Sequence, residues 1–102
     1  MKKTGTDPNQ EFLFKAILSL QDADECREFF EDLCTPAELQ EMSRRLIAAS
    51  MLMQNHIYSE IAECTGLSTA TISRVNKCLK FGNEGYPKAL ERVGYWKKPY
   101  NR

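Results

Sequence analysis

A chain of 102 residues is the size of one domain. Its formal net charge is zero and 42% of its residues are hydrophobic, which places it with ordinary globular proteins. No apolar run approaches the length of a bilayer span and no signal-peptide pattern opens the chain, so the expectation is a soluble, cytoplasmic protein.

Met1 to Thr6 reads as frayed. Asp7, Pro8 and Gln10 open a first helix, with Asp7 as cap, Pro8 at the first helical position and Gln10 reaching back. Phe12, Leu13, Phe14, Ala16, Ile17, Leu18 and Leu20 then make it apolar around most of its circumference. Such a helix requires burial on more than one side. A chain this short buries only a modest share of its surface, so a partner subunit is expected. Asp22 to Glu25 opens a second helix in the same way. It carries Cys26, Phe29, Phe30, Leu33 and Cys34 on one face and Glu28, Glu31 and Asp32 on a solvated one.

Thr35, Pro36 and Glu38 form a capping box, of which the cap alone is worth about 1 kcal/mol. The helix that follows should run to about Gln54. Leu39, Met42, Leu46, Ala49 and Met53 mark one stripe, and Ile47, Ala48, Met51 and Leu52 add a second apolar side. This is the expected central helix. Asn55 and His56 then connect it to residues 58–80, which read as two helices joined by a tight turn. Gly66 can take positive φ at the end of the first. Ala62 is small where the pair would approach. Ile61, Leu67, Ile72 and Val75 should form the core that fixes the crossing angle, and Ser68 or Thr69 should cap the second helix. A short helix, a Gly turn and a second helix is the layout of a DNA-binding helix-turn-helix, although any helical hairpin could show it. Gly82, Asn83 and Gly85 stop the second helix. A short last helix should follow, with Leu90 and Val93 inward. Residues 94–102 read as a basic aromatic tail. Tyr95, Trp96 and Tyr100 lie among Lys97, Lys98 and Arg102, either to grip nucleic acid or to pack on the domain. No strand pattern appears, so the fold class is all-α with about six helices.

The four cysteines, Cys26, Cys34, Cys64 and Cys78, form no C-x-x-C pair and read as buried free thiols. With His56 as the one histidine, no metal site is expected. No phosphate-binding loop or acid/base pair points to an enzyme. The charge distribution is more informative. Residues 1–64 hold six Lys/Arg against twelve Asp/Glu, and residues 65–102 hold eight against two. The split of −6 and +6 concentrates positive potential from the second helix of the pair onward.

Two segments together resemble the Trp repressor family. One runs from Cys34, Thr35, Pro36, Ala37 and Glu38 to Arg45. The other is the helical pair with Ala70, Thr71, Ile72, Ser73, Arg74 and Lys80. The stretches SRRL and ECTGLSTATISRVNKCLKFG look like the YerC/YecD group of Trp-repressor-like proteins. The resemblance covers about residues 33–93. It implies an intertwined homodimer that acts on double-stranded DNA as a sequence-specific transcriptional regulator. The N-terminal, central and last helices of both chains would share one core.

In the repressor, two arginines sandwich the indole of the corepressor tryptophan. The resemblance carries them to Arg45 and Arg74, and carries pocket-lining threonines to Thr35 and Thr71. Val75 stands where the repressor has a small glycine, and Cys78 where it has a serine near the ligand's amino group. Overfilling a fitted pocket costs about 1–3 kcal/mol, so tryptophan is not the expected ligand. Three readings stay open: Val75 plugs the pocket and nothing binds, another small-molecule corepressor binds, or Arg45 and Arg74 hold an anion or a carboxylate such as Glu41. At the DNA face, Ser59 replaces a base-reading arginine and Ile47 replaces a basic residue, which implies a different target sequence. Ser68, Thr69, Ala70 and Ser73 should lie near the groove floor, and Arg74, Lys77 and Lys80 nearer phosphates. The rival reading is a helical dimeric protein-interaction module that has lost specific DNA binding.

Overall fold

The computed structural model describes residues 5–97. Residues 1–4 and the tail residues Lys98, Tyr100 and Arg102 lie outside that range. Six helices and no strand occur among the described residues: α1 Pro8–Leu18, α2 Ala23–Leu33, α3 Pro36–Met53, α4 Tyr58–Thr65, α5 Thr69–Phe81 and α6 Gly85–Val93. None of them is long and apolar enough to cross a membrane. The chain divides into two compact units, residues 1–39 and 40–102.

In the first unit, local chemistry makes the helices. The Asp7 carboxylate accepts from the Asn9 N–H at 2.9 Å, satisfying a donor that the first turn leaves unpaired. The expected return bond from Gln10 is not formed. Asp22 accepts from the Glu25 N–H while the Glu25 carboxylate accepts from the Gln21 N–H, both at 2.9 Å. Thr35 and Glu38 form the reciprocal box in full: Thr35 Oγ1 accepts from the Glu38 N–H at 3.1 Å, and the Glu38 carboxylate accepts from the Thr35 N–H at 2.9 Å. Burial does not follow from this. Neither α1 nor α2 contains a buried residue, and Phe12 and Leu18 are 77% and 84% exposed. Phe29 and Phe30 meet edge to face with centroids 5.4 Å apart.

In the second unit, every fully buried side chain falls between Ala48 and Leu90. Two cores form. Ala48, Met51, Ile61, Leu67 and Ile72 make one; Ala49, Val75 and Leu90 make the other. The consecutive Ala48, Ala49 and Ser50 have no exposed surface at all. Small side chains there let neighbouring elements come close to α3 from two sides.

Several expectations need correction. Val75 does not join Ile61, Leu67 and Ile72; it lies in the second core. Ile72 and Val75 share the inward face of α5, but they lie one turn apart along it, so each meets different neighbours. Val93 is exposed in the last turn of α6, where the chain turns away at Gly94 (φ 97°). Leu46 is also exposed despite lying on the expected α3 stripe. The four cysteines are free but not buried: Cys26, Cys34 and Cys64 are half-buried and Cys78 is exposed. Helical spacing places a residue on a face, but it does not say how far that face is covered.

Candidate nucleic-acid interface

The pair α4 and α5 is fixed by four devices. Gly66 ends α4 in the left-handed region at φ 77°, where a β-carbon would cost about 1–2 kcal/mol. Thr65, buried, bridges the turn: its Oγ1 donates to the Ile61 carbonyl at 2.7 Å and accepts from the Leu67 N–H at 3.2 Å. Ser68 caps α5 by accepting from the Thr71 N–H at 3.1 Å. Asn76 Nδ2 on α5 donates to Tyr58 Oη on α4, also at 3.1 Å. The apolar faces close the rest, with Ile61, Leu67 and Ile72 in one core.

This arrangement fixes which side of α5 points out. Ile72 and Val75 are 0% and 2% exposed and anchor the helix inward. Ser68, Thr69, Ala70, Ser73, Arg74, Lys77 and Lys80 are all exposed. The seven residues expected at the groove thus share the free side of one capped helix and its cap. Small groups come first and cations follow. Basic side chains in the later turns also suit the negative end of the helix dipole.

The α4 entry is acidic. Glu60 Oε1 accepts from the Ile57 N–H at 3.2 Å and sits 3.1 Å from His56 Nδ1. The backbone bond, then the His56 contact, lower the Glu60 carboxyl below its ordinary value. His56, Glu60, Glu63, Cys64 and Met51 line a cavity of about 310 Å³. A second, of about 230 Å³, is lined by Met51, Gln54, His56, Trp96 and Lys97.

The residues matched to a ligand pocket divide differently. Thr35 lies in the first unit, where its hydroxyl is engaged as the cap of α3. In the second unit, Arg45 on α3 and Thr71 on α5 are half-buried, while Arg74 and Cys78 are exposed. Val75 fills space between α3 and α6, packed with Ala49, Leu90, Leu79 and Tyr86. Tyr86 connects part of this set. Burial raises its phenol above the ordinary value, Arg45 opposes that shift, and Cys78 adds to it. Sequence reasoning missed Tyr86, whose single ring in a short last helix carries no periodic signal. It also missed Ser50 and Gln54. Ser50 Oγ accepts from the Trp96 N–H at 2.8 Å, and Gln54 Nε2 donates to the Trp96 carbonyl at 3.3 Å. A polar residue inside an apolar helical run was the available clue.

A family model for the Trp repressor protein matches residues 9–94. An uncharacterized protein of Bacillus subtilis strain 168, YerC, is 53% identical over 81 residues, which span 79% of this chain and 78% of that one. Among solved structures, a TrpR-like protein from Eubacterium eligens superimposes with a TM-score of 0.81 at 53% identity, covering 86% of this chain and 91% of that chain. A Staphylococcus aureus protein proposed to be a Trp repressor gives 0.84 at 42% identity, covering 91% and 93%.

Proposed function

Since the chain belongs to the Trp repressor family, we propose that it is a homodimeric, sequence-specific DNA-binding regulator that reads double-stranded DNA with α5. One observation supports this most: a capped helix, anchored inward by Ile72 and Val75, leaves Ser68, Thr69, Ala70, Ser73, Arg74, Lys77 and Lys80 free together. Small side chains at the start of α5 let its backbone approach base edges and thymine methyls. Arg74, Lys77 and Lys80 then meet phosphates. Two protomers place two copies of α5 in successive major grooves, one helical turn apart. The exposed Phe12, Phe14 and Leu18 supply the apolar surface that a second copy would cover.

Tryptophan does not control this regulator on our reading. Val75 is a core residue, so the volume a ligand would need beside Arg45 and Arg74 is partly taken by the fold. With α5 held by packing, no ligand is required to set its angle.

Selection of bound oligonucleotides from a random pool, followed by anisotropy titration at two salt concentrations, tests the reading. Specific binding with a steep salt slope is expected, and Lys77→Ala with Lys80→Ala should flatten that slope by about one counterion per lost contact. Weak, sequence-blind binding at low salt would instead favour an interaction module. Calorimetry with tryptophan should show no heat of binding, and tight binding would overturn the blocked pocket.

A further inference from the structure

We infer that residues 94–97, directly after α6, form a strap that holds the helix-turn-helix in shape, with Trp96 as its positioning residue. The inference extends the DNA-binding reading and assigns Trp96 to the protein rather than to the nucleic acid. Three observations carry it. First, both backbone polar groups of Trp96 are engaged at the end of α3: Ser50 Oγ in the helix accepts its N–H, and Gln54 Nε2, just past the helix, donates to its carbonyl. Gln54 Nε2 also donates to Ser50 Oγ at 3.3 Å, joining the two anchors. Second, Ser50 has no exposed surface. Without the strap, its hydroxyl would lose its shorter bond, from the Trp96 N–H at 2.8 Å, and keep only the one from Gln54 at 3.3 Å, and weakening the satisfaction of a buried polar group is costly. Third, the indole packs against the core of Ala48, Met51, Ile61, Leu67 and Ile72. Ile61 belongs to α4 and Ile72 to α5, and their contact through this core sets the angle between the helices.

The strap therefore joins the end of α6 to the core that orients the recognition helix. Aromatic residues among lysines resemble a nucleic-acid grip. Here the aromatic of the pair Trp96 and Lys97 turns inward, half-buried, while Lys97 stays exposed. Lys97 is thus the member available to a phosphate, and Trp96 acts through α4 and α5.

Trp96 is the one tryptophan in the chain, so the full-length protein reports on the strap without a label. Its fluorescence should be blue-shifted and protected from acrylamide, and should stay so when saturated with the selected DNA. Emission like that of free tryptophanamide, or quenching on DNA addition, would overturn the assignment. Trp96→Ala should accelerate amide exchange in α4 and α5 by about ten-fold while leaving α2 unchanged, since exchange reports local opening. Gln54→Ala should do so partially, and Trp96→Phe should restore most of the protection. Uniform acceleration across all helices, or none in α4 and α5, refutes the strap. If Trp96→Ala does not fold, Gln54→Ala and Trp96→Phe decide the question on the same readout. In DNA titrations, Trp96→Ala should weaken binding at an unchanged salt slope, whereas Lys97→Ala should lower the slope by about one counterion. A lowered slope for Trp96→Ala would make it a DNA contact. Should the wild type bind no DNA, the regulator reading fails while fluorescence and exchange still decide the strap.

Discussion

The two units of the chain use the same local grammar and reach different ends. Helices α1 and α2 have carboxylate caps, and hydrophobic residues make up about the same share of them as of the helices that follow. Yet no residue of theirs is buried, whereas α3 to α6 each bury at least one. The difference shows that capping makes a helix but does not give its apolar face anything to cover it. A polar and charged surface explains exposure in many helices. It does not explain Phe12 at 77% or Leu18 at 84%, which are large side chains whose transfer from water is worth about 1.5–3 kcal/mol each. The second unit buries a core within one chain even though Phe81 and Val93 stay 81% and 78% exposed; the first, in its helices α1 and α2, buries nothing.

The sharpest way to break this contrast is to charge α1. Phe12→Glu with Leu18→Glu should convert the proposed dimer into an 11.7 kDa monomer, measured by light scattering. An unchanged mass would mean that the exposed face of α1 joins nothing. Next in size is Ile72→Ala, which should cost about 2–5 kcal/mol in urea unfolding wherever the protein concentration is set. Phe12→Ala should cost much less at low concentration and more at high, because its burial depends on a second copy. Equal, concentration-independent losses would erase the distinction between the units. Smaller still are the caps. Thr35→Ala and Ser68→Ala should each cost about 1 kcal/mol, one in each unit, since a cap acts locally whatever lies beyond it. The least effect belongs to Glu60. Its folded pKa lies below the ordinary value of 4.5, so its stabilising share is present above the unfolded pKa and fades as pH falls through the folded one. Glu60→Gln should therefore lower the urea midpoint slightly at pH 7, and the gap from wild type should close on acidification.

What the sequence made legible follows from how local each signal is. Asp7, Asp22, Thr35 and Ser68 announced helix starts because a cap acts within three residues. Gly66 announced the turn because only a left-handed residue closes it cheaply. The exposed side of α5 could be read because Ile72 and Val75 define its opposite. Their separation into two cores could not be read, since that depends on where α3 and α6 approach. The thiols misled for a related reason: helical spacing gives a face, and a face is buried only if something lies against it. Trp96 lies 42 residues from Gln54 and 46 from Ser50 in the chain, and no periodicity links it to them. The same holds for Tyr58 and Asn76, which are 18 apart.

Between α5 and α6 the chain offers glycines at 82 and 85, yet the left-handed residue is Glu84, at φ 66°. Gly82 answers a different demand, since a β-carbon there would stand 2.5 Å from the Cys78 carbonyl oxygen. Glu84 thus holds a backbone conformation that costs an L-residue about 1–2 kcal/mol, and its side chain makes no capping bond in return. The protein carries unspent stability at this one joint. A single replacement, Glu84→Gly or Glu84→Asn, should raise the melting temperature without touching either core, and would offer a sturdier background in which the more damaging variants can still be studied folded.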